Sequence, residues 1–227
     1  DGVRGTDRKR RGPLRLTASK TATPSAVRLA ALSCFAVAGV AGLALAVAVD
    51  LRLLVVGVIC VAGAWFYSGG RRPYGYAGYG ELAVLFFFGF VGTVGSAYVQ
   101  GRPLPAAAWW GSLVAGLPAC AVLVANNLRD IESDGAAGKR TLAVRLGART
   151  SARLYTGLVV GAFVAVLPIG VQHPSAFLAL VALVFALGPL RLATRGTDPR
   201  SLVRLLVLTV RLAAALAVLL TVGLALA

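Results

Sequence analysis

Seven apolar runs, most of them close to 20 residues long, constrain this fold more than any other feature. A transmembrane helix needs about 20 predominantly apolar residues, because each residue advances only about 1.5 Å across the hydrocarbon core. The second and sixth runs are short for a complete crossing. The sequence predicts an all-α polytopic transmembrane helix bundle, in one integral membrane domain over residues 1–227. The predicted spans are residues 26–49, 53–68, 81–100, 106–125, 153–171, 175–190 and 202–225.

The charge distribution agrees with this fold and gives it an orientation. The net charge of +15 on 227 residues could indicate a nucleic-acid partner, but the placement of the cations argues against one. Nearly all of the 23 Lys and Arg residues lie in every second connection, while the alternate connections hold only Arg52 and Arg102. Because basic loops stay on the cytoplasmic side, we expect a lipid bilayer as partner and no nucleic acid. An Arg-, Ala- and Leu-rich composition indicates a bacterial protein and a bacterial cell membrane.

Polar residues cluster where the fourth span ends, in the stretch NNLRDIESDGAAGKRTLAVRLG. On a helix continuing from that span, Asn126, Asp130 and Asp134 are four residues apart and share one face, whereas Glu132 points away. Carboxylates at this spacing repel each other, and the carboxyl end of a helix is the wrong end for anions. Something positive must therefore compensate for the two aspartates.

Two compensators remain open from the residues alone. In the first, Arg129, Lys139 and Arg140 neutralise the acids as a salt-bridged loop. In the second, a hard divalent cation binds the carboxylates, and Lys139 and Arg140 contact a diphosphate. The coordination preference of Mg²⁺ favours the second alternative, since this ion is commonly held by one or two carboxylates together with substrate phosphates.

Two further polar stretches belong to the same predicted face. DGVRGTDRKRRGP opens the chain with Asp1 and Asp7 around Arg4, and taken alone it resembles a solvated tail. YSGGRRPYGYAGYGE, residues 67–81, combines four tyrosines with two arginines. Such a loop either shields a carbocation or forms an interfacial aromatic belt. Two acidic clusters with cations at one mouth of a bundle predict a pocket for a metal-bridged polyanion.

These blocks resemble the UbiA superfamily of intramembrane prenyltransferases, especially its branch acting on 1,4-dihydroxy-2-naphthoate. Residues 126–147 match the pattern N-N-x-x-D-x-x-x-D followed by G-K-x-T-L-A-x-R-x-G. Residues 67–101 are similar to another distinctive block of that branch, and residues 1–16 look like the tail of its first motif. Family members are nine-helix bundles, so the resemblance implies that the seven spans are the third to the ninth. It also implies a fragment lacking about two N-terminal helices.

The resemblance assigns roles to residues that match the family's motifs. Asp1 and Asp7 would bind one Mg²⁺, and Asp130 and Asp134 a second. Asp130 and Asp134 would also be catalytic, together with Lys139 and Tyr67. The implied substrate-binding residues are Asn126, Asn127, Arg72, Tyr74, Arg140 and Arg4. The sequence does not identify the general base.

The implied reaction is transfer of a polyprenyl group from polyprenyl diphosphate to 1,4-dihydroxy-2-naphthoate. Loss of the carboxylate would give demethylmenaquinone, at an active site on the cytoplasmic side. One alternative is a UbiA-type enzyme with another acceptor, such as 4-hydroxybenzoate or a heme. A membrane transporter for an anionic solute is an alternative of another class, but it predicts ionisable residues deep within several spans. A purely structural membrane subunit would leave the clustered acids unexplained.

Overall fold

The computed structural model describes residues 16–17, 19–195 and 198–227, and all regular elements in that part of the chain are helical. The predicted all-α class is confirmed. Two 3₁₀ segments, Tyr74–Ala77 and Pro174–Ala182, and one π-helical segment, Leu85–Val94, accompany ten α-helices. The α-helices are α1 Pro24–Ala48, α2 Leu53–Ser68, α3 Gly80–Val84, α4 Gly95–Gln100, α5 Ala106–Arg129, α6 Ile131–Ala136, α7 Leu142–Val164, α8 Val166–Gln172, α9 Leu183–Arg195 and α10 Pro199–Ala225.

Six helical segments in the described part of the chain are long and apolar enough to cross a membrane. A further apolar helix, α2, has only 16 residues and corresponds to the predicted short second span. The polytopic bundle predicted from hydropathy is thus confirmed. The six long segments are Pro24–Ala48, Gly80–Gln100, Ala106–Arg129, Leu142–Gln172, Pro174–Thr194 and Arg200–Ala225.

Two predicted boundaries are wrong. The helical segment of the fifth span begins at Leu142, ahead of the predicted residue 153, because the Thr141 side chain caps it by accepting a 3.4 Å hydrogen bond from the Val144 amide. The chain leaves the helical conformation at Gly147 (φ 73°, ψ 168°), so α7 is kinked there before it continues to Val164. Hydropathy missed this start, since Arg145 and Arg149 make the first turns polar. The sixth span runs to Thr194 and is long enough to cross, so its predicted shortness is also wrong.

The hydrophobic core lies in the second half of the chain. Its buried apolar side chains come mainly from α5, α7, α10 and the 3₁₀ segment Pro174–Ala182. Inside it, the hydroxyls of Tyr155 and Thr209 share a 2.7 Å hydrogen bond, so neither polar group is left unsatisfied. Helices α1 and α2 contribute almost nothing and expose apolar side chains, as helices facing lipid do.

A glycine contact brings the third span against α5. A Cβ atom added to Gly89 would lie 2.8 Å from the Ser112 carbonyl oxygen and 3.1 Å from the Gly116 Cα. The two helix backbones are therefore in direct contact, which small residues at a membrane helix crossing permit. This crossing aligns the beginning of the third span with the end of α5, where the polar motif lies.

The opposite end of the bundle is closed by a separate polar cluster. The Tyr98 hydroxyl and the Arg102 guanidinium both donate to Asp50, the latter at 3.0 Å. The Tyr98 hydrogen bond, aided by the Arg52 amide and then by Arg102, lowers the pKa of Asp50 to about 2. Asp50 and Tyr98 thus tie the connection after α1 to the end of the third span.

Candidate active site

The polar motif begins with a helix break that the sequence did not indicate. Helix α5 ends at Arg129, Asp130 leaves the helical conformation at φ −100° and ψ 8°, and α6 begins at Ile131. The prediction of one continuous helix is therefore wrong at Asp130. The Asp134 amide still donates to the Asp130 carbonyl at 2.8 Å, so the helical spacing survives. Asp130 and Asp134 are buried and Glu132 is exposed, as predicted.

Arg129 joins the first aspartate to the asparagine pair. Its Nε and Nη2 atoms each donate to one Asp130 carboxylate oxygen at 2.8 Å. Nη2 also donates to the Asn126 side-chain oxygen at 2.7 Å. The Arg129 and Asp130 side chains are only 3% and 1% exposed. A buried bidentate pair of this kind holds both side chains in a fixed orientation.

Lys139 pairs with the second aspartate. Its Nζ lies 3.5 Å from Asp134 Oδ1, and its amide donates to the Asp134 carbonyl at 2.9 Å. Gly138 makes the intervening turn at φ 74°, a left-handed conformation that glycine adopts without strain. Both acids thus have a cationic partner, as the salt-bridged alternative predicts. Burial of all four charges distinguishes the cluster from an ordinary surface loop.

The tyrosine loop, residues 67–81, packs against this cluster. The Arg140 amide donates to the Tyr76 carbonyl at 2.8 Å, and the Lys139 ammonium lies 4.7 Å from the centre of the Tyr76 ring. The rings of Tyr67 and Tyr74 meet edge to face at 5.5 Å. The Tyr74 hydroxyl donates to the Gly63 carbonyl at 2.6 Å, and burial raises its pKa. The aromatic side chains of the tyrosine loop therefore form an ordered surface, an aromatic wall, beside the paired acids.

The predicted binding arginines in the described chain, Arg72 and Arg140, are not part of the buried cluster. Arg72, on the tyrosine loop, and Arg140, beside Lys139, are both exposed. Asp1, Asp7 and Arg4 lie outside the described residues. Among the described sites, the structure brings together Asn126, Asn127, Asp130, Asp134 and Lys139.

Sequence reasoning missed the importance of Glu81 at this site. The Asn127 side-chain amide donates to Glu81 Oε1 at 3.0 Å, and Glu81 is only 8% exposed. The sequence feature that could have indicated it is a carboxyl group in the first turn of an apolar span. This carboxyl group lies on the same side of the membrane as Asn127, whose side-chain amide needs a hydrogen-bond partner. That signal was too weak without the Gly89–Gly116 crossing, which sequence pattern does not reveal.

The described residues fit a Mg²⁺ ion that is shared with a phosphate group. They contain no group of three or more His, Cys, Asp or Glu side chains able to hold a metal unaided. Asp130 and Asp134 supply two carboxylates, which suffices when substrate phosphates complete the coordination. A carboxylate has about four acceptor positions, so pairing with a cation is compatible with binding a metal. Arg129 Nη1 is a buried donor with no hydrogen-bond partner in the described chain, as a site for an anion would present.

Comparison with known proteins explains this arrangement. The model of the UbiA prenyltransferase family matches residues 4–209. The chain belongs to this family. A UbiA prenyltransferase transfers an isoprenoid group, which agrees with an anion site at the end of an apolar bundle. The resemblance inferred from the motifs is thereby confirmed.

Several relatives share a more specific name, 1,4-dihydroxy-2-naphthoate octaprenyltransferase. The relative from Mycobacterium tuberculosis is 46% identical over 201 residues, covering 87% of this chain and 69% of its own length. The relative from Mycobacterium leprae is 44% identical over 199 residues, with 86% and 67% covered. The relative from Escherichia coli is 39% identical over 171 residues, with 72% and 56% covered. No solved structure gives a significant match.

Proposed function

We propose that this UbiA prenyltransferase transfers a polyprenyl group from polyprenyl diphosphate to 1,4-dihydroxy-2-naphthoate. Loss of the carboxylate follows and gives demethylmenaquinone, first as its quinol. The names of the relatives from Mycobacterium tuberculosis, Mycobacterium leprae and Escherichia coli support the naphthoate acceptor and a polyprenyl donor. The reaction takes place at the cytoplasmic face of a bacterial cell membrane, where the basic connections lie.

The observation that carries this proposal is the buried set of two aspartates and two cations beside the tyrosine loop. Burying an ion pair costs desolvation energy that the pairing often fails to recover, so it is a poor device for stability alone. Here two such pairs adjoin, and Nη1 of Arg129 is a buried donor that has no hydrogen-bond partner among the residues the structure describes. A diphosphate supplies the anionic oxygens that such a donor lacks.

The residues of the chain then divide the work on the donor substrate. Asp130 and Asp134 would hold Mg²⁺, which would neutralise charge on the diphosphate. Arg129 and Lys139 donate to diphosphate oxygens as negative charge develops there, and they need little reorganisation because both are already buried and fixed. The exposed Arg72 and Arg140 attract the diphosphate from outside the buried cluster. Asp1, Asp7 and Arg4 complete this proposed site from the opening segment.

The acceptor meets the allylic carbon beside the tyrosines. Breaking of the carbon–oxygen bond leaves an allylic cation, which the ring faces of Tyr67 and Tyr74 stabilise. The electron-rich naphthoate ring attacks this carbon and forms the new carbon–carbon bond. Attack through the carbon that carries the carboxylate leaves a β-keto acid, which loses CO₂ and regains the aromatic ring. Apolar helix faces of the bundle bind the isoprenoid tail.

Two other functions make different predictions. A UbiA prenyltransferase with another aromatic or lipid acceptor would keep the same diphosphate site. A transporter for an anionic solute would need ionisable groups along its path. Among the described residues, the buried charged side chains besides Arg129 are Glu81, Asp130, Asp134 and Lys139, all at one end of the bundle. Arg211, within α10, is exposed, as expected for a side chain that extends along the helix to the interface.

The acceptor is tested by competition in membranes that contain the full-length protein. These are supplied with Mg²⁺, a polyprenyl diphosphate and equal amounts of dihydroxynaphthoate and 4-hydroxybenzoate, and products are separated by mass spectrometry. We expect a prenylated naphthoquinone and release of CO₂, with little prenylated benzoate. Prenylation of 4-hydroxybenzoate alone would contradict the acceptor but retain the enzyme class. Vesicle uptake of a diphosphate without prenylated product would favour the transporter.

A further inference from the structure

Glu81 has the environment of a reactive group rather than that of a structural one. It lies in the first turn of α3, at the beginning of the third span, and is only 8% exposed. Its Oε1 atom accepts a 3.0 Å hydrogen bond from Asn127. Its Oε2 atom is buried and has no hydrogen-bond partner in the described chain. Leaving such an oxygen unsatisfied costs free energy, so a ligand that donates to it is expected.

The backbone around Glu81 is fixed from two sides. The Cys120 thiol donates to the Glu81 carbonyl at 3.2 Å, and the Gly89–Gly116 crossing holds the third span against α5. A Cβ atom added to the neighbouring Gly80 would lie 3.5 Å from the Tyr67 hydroxyl. Glu81, the last residue of the tyrosine loop, therefore contacts the asparagine pair of the diphosphate site and follows directly on the glycine that lies beside Tyr67.

A purely structural role explains only half of this geometry. A glutamine would accept the Asn127 hydrogen bond equally well without bringing a buried carboxyl group. Tying α3 to α5 therefore accounts for Oε1 and leaves Oε2 unexplained. A carboxylate oxygen beside an aromatic wall fits a hydroxyl donor such as a phenol or naphthol.

We infer that Glu81 is the catalytic residue that binds a ring hydroxyl of the aromatic acceptor and takes its proton. This inference rests on the proposed function. As the ring carbon bonds to the allylic carbon, the carbon–oxygen bond to diphosphate breaks and its electron pair leaves with the diphosphate. The hydroxyl proton moves to Glu81 Oε2, and the released O–H electron pair forms the carbonyl of the dearomatised ring. Asn127 holds Glu81 in the orientation that this transfer requires.

The test compares Glu81→Gln with wild type in membranes of the full-length protein. General base catalysis is worth about 10² to 10⁴-fold, so we expect kcat to fall by about 10²-fold or more. Binding of a non-hydrolysable prenyl thiolodiphosphate should stay within about twofold, because a glutamine still accepts the hydrogen bond from Asn127 and leaves that residue in place. Glu81→Asp, which retains a carboxylate, should recover part of kcat. Glu132→Gln removes an exposed acid from the same motif and should change neither quantity.

A modified acceptor separates proton transfer from packing. Mono-O-methyl ethers of the acceptor lack one transferable proton, so with the relevant ether wild type should slow to the rate of Glu81→Gln. The variant should lose nothing further with that ether. If Glu81 has only a structural role, the loss of kcat caused by Glu81→Gln and the loss caused by methylation are independent. The two losses should then multiply for every ether.

Three results would overturn the inference. These are a Glu81→Gln kcat within about twofold of wild type, an equal loss of thiolodiphosphate binding, or multiplying losses with every ether. If Glu81→Gln does not accumulate, Glu81→Asp carries the test, with reduced kcat and unchanged thiolodiphosphate binding expected. Wild type that prenylates only another hydroxyaryl acceptor refutes the naphthoate proposal, and Glu81 is then tested on that acceptor.

Discussion

At the scale of residues, the candidate site consists of cations that are buried beside the acids they pair with. Arg129 and Lys139 each contact one aspartate, and their side chains are 3% and 7% exposed. Such pairs are costly to break, since removing one partner leaves a buried charge uncompensated. The same rigidity is useful in a reaction whose leaving group develops charge, because fixed donors need no rearrangement.

Lys139 provides the first prediction at this scale. Lys139→Ala should lower kcat by about 10² to 10³-fold, the usual cost of removing one donor to a developing anion. Radiolabelled prenyl transfer in membranes measures the effect, with protein abundance determined alongside. Arg149→Ala removes an exposed cation from α7 and should leave kcat unchanged. Full activity of Lys139→Ala would remove Lys139 from the diphosphate site.

At the scale of elements, the Gly89–Gly116 crossing positions the site. It brings the first turn of α3 to the end of α5, so that Glu81 can meet Asn127. The tyrosine loop is held in the same way by the hydrogen bond from the Arg140 amide to Tyr76. The described site is therefore assembled from two connections, the tyrosine loop and the connection between α5 and α7, which the helix crossing and these hydrogen bonds bring together.

The crossing gives the second prediction. Gly89→Ala places a Cβ atom 2.8 Å from the Ser112 carbonyl oxygen, so the two helices must move apart. Overpacking of this kind costs about 1–3 kcal/mol, and both the thermal midpoint in detergent and kcat should fall. Gly95→Ala is the matched control on the same span, since nothing lies within 4 Å of its added Cβ atom. Equal midpoints for the two variants would show that the crossing tolerates a side chain.

Hydropathy predicted the helical spans well and their polar ends poorly. A 20-residue apolar run has few alternatives to a helix in lipid, because every backbone polar group must be satisfied internally. The early start of α7 at Leu142 and the helix break at Asp130 depend instead on a cap and on side-chain pairing. A hydropathy average over a window of residues does not detect such contacts, because each depends on one or two individual side chains.

At the scale of the whole molecule, the proposed chemistry is confined to one end of the bundle. The buried acids and cations lie beside the basic connections, while Asp50, Tyr98 and Arg102 close the other end. Family motifs predicted that the two asparagines, Asp130, Asp134 and Lys139 lie close together, because those residues are near one another in sequence. They did not predict a role for Glu81, which meets Asn127 only through folding.

Orientation in the membrane is the third prediction. Single cysteines at Gly101 and Glu132, both exposed, are introduced after replacing Cys34, Cys60 and Cys120 with alanine. On intact spheroplasts, a membrane-impermeant maleimide should label Gly101→Cys, whereas Glu132→Cys should react only after permeabilisation. The reverse pattern would place the site on the outer side.

The most direct test of the central claim measures metal-dependent binding of a prenyl thiolodiphosphate, which cannot react. Wild type should bind it at least about tenfold more weakly in EDTA than in Mg²⁺, a difference of about 1.4 kcal/mol, and re-addition of Mg²⁺ should restore affinity. Asp134→Asn, at matched abundance, should bind more weakly than wild type in Mg²⁺ and gain less affinity from Mg²⁺, since only the metal at Asp1 and Asp7 would keep both of its aspartates. Binding that is equally tight in EDTA and in Asp134→Asn would contradict a metal-bridged diphosphate at these aspartates.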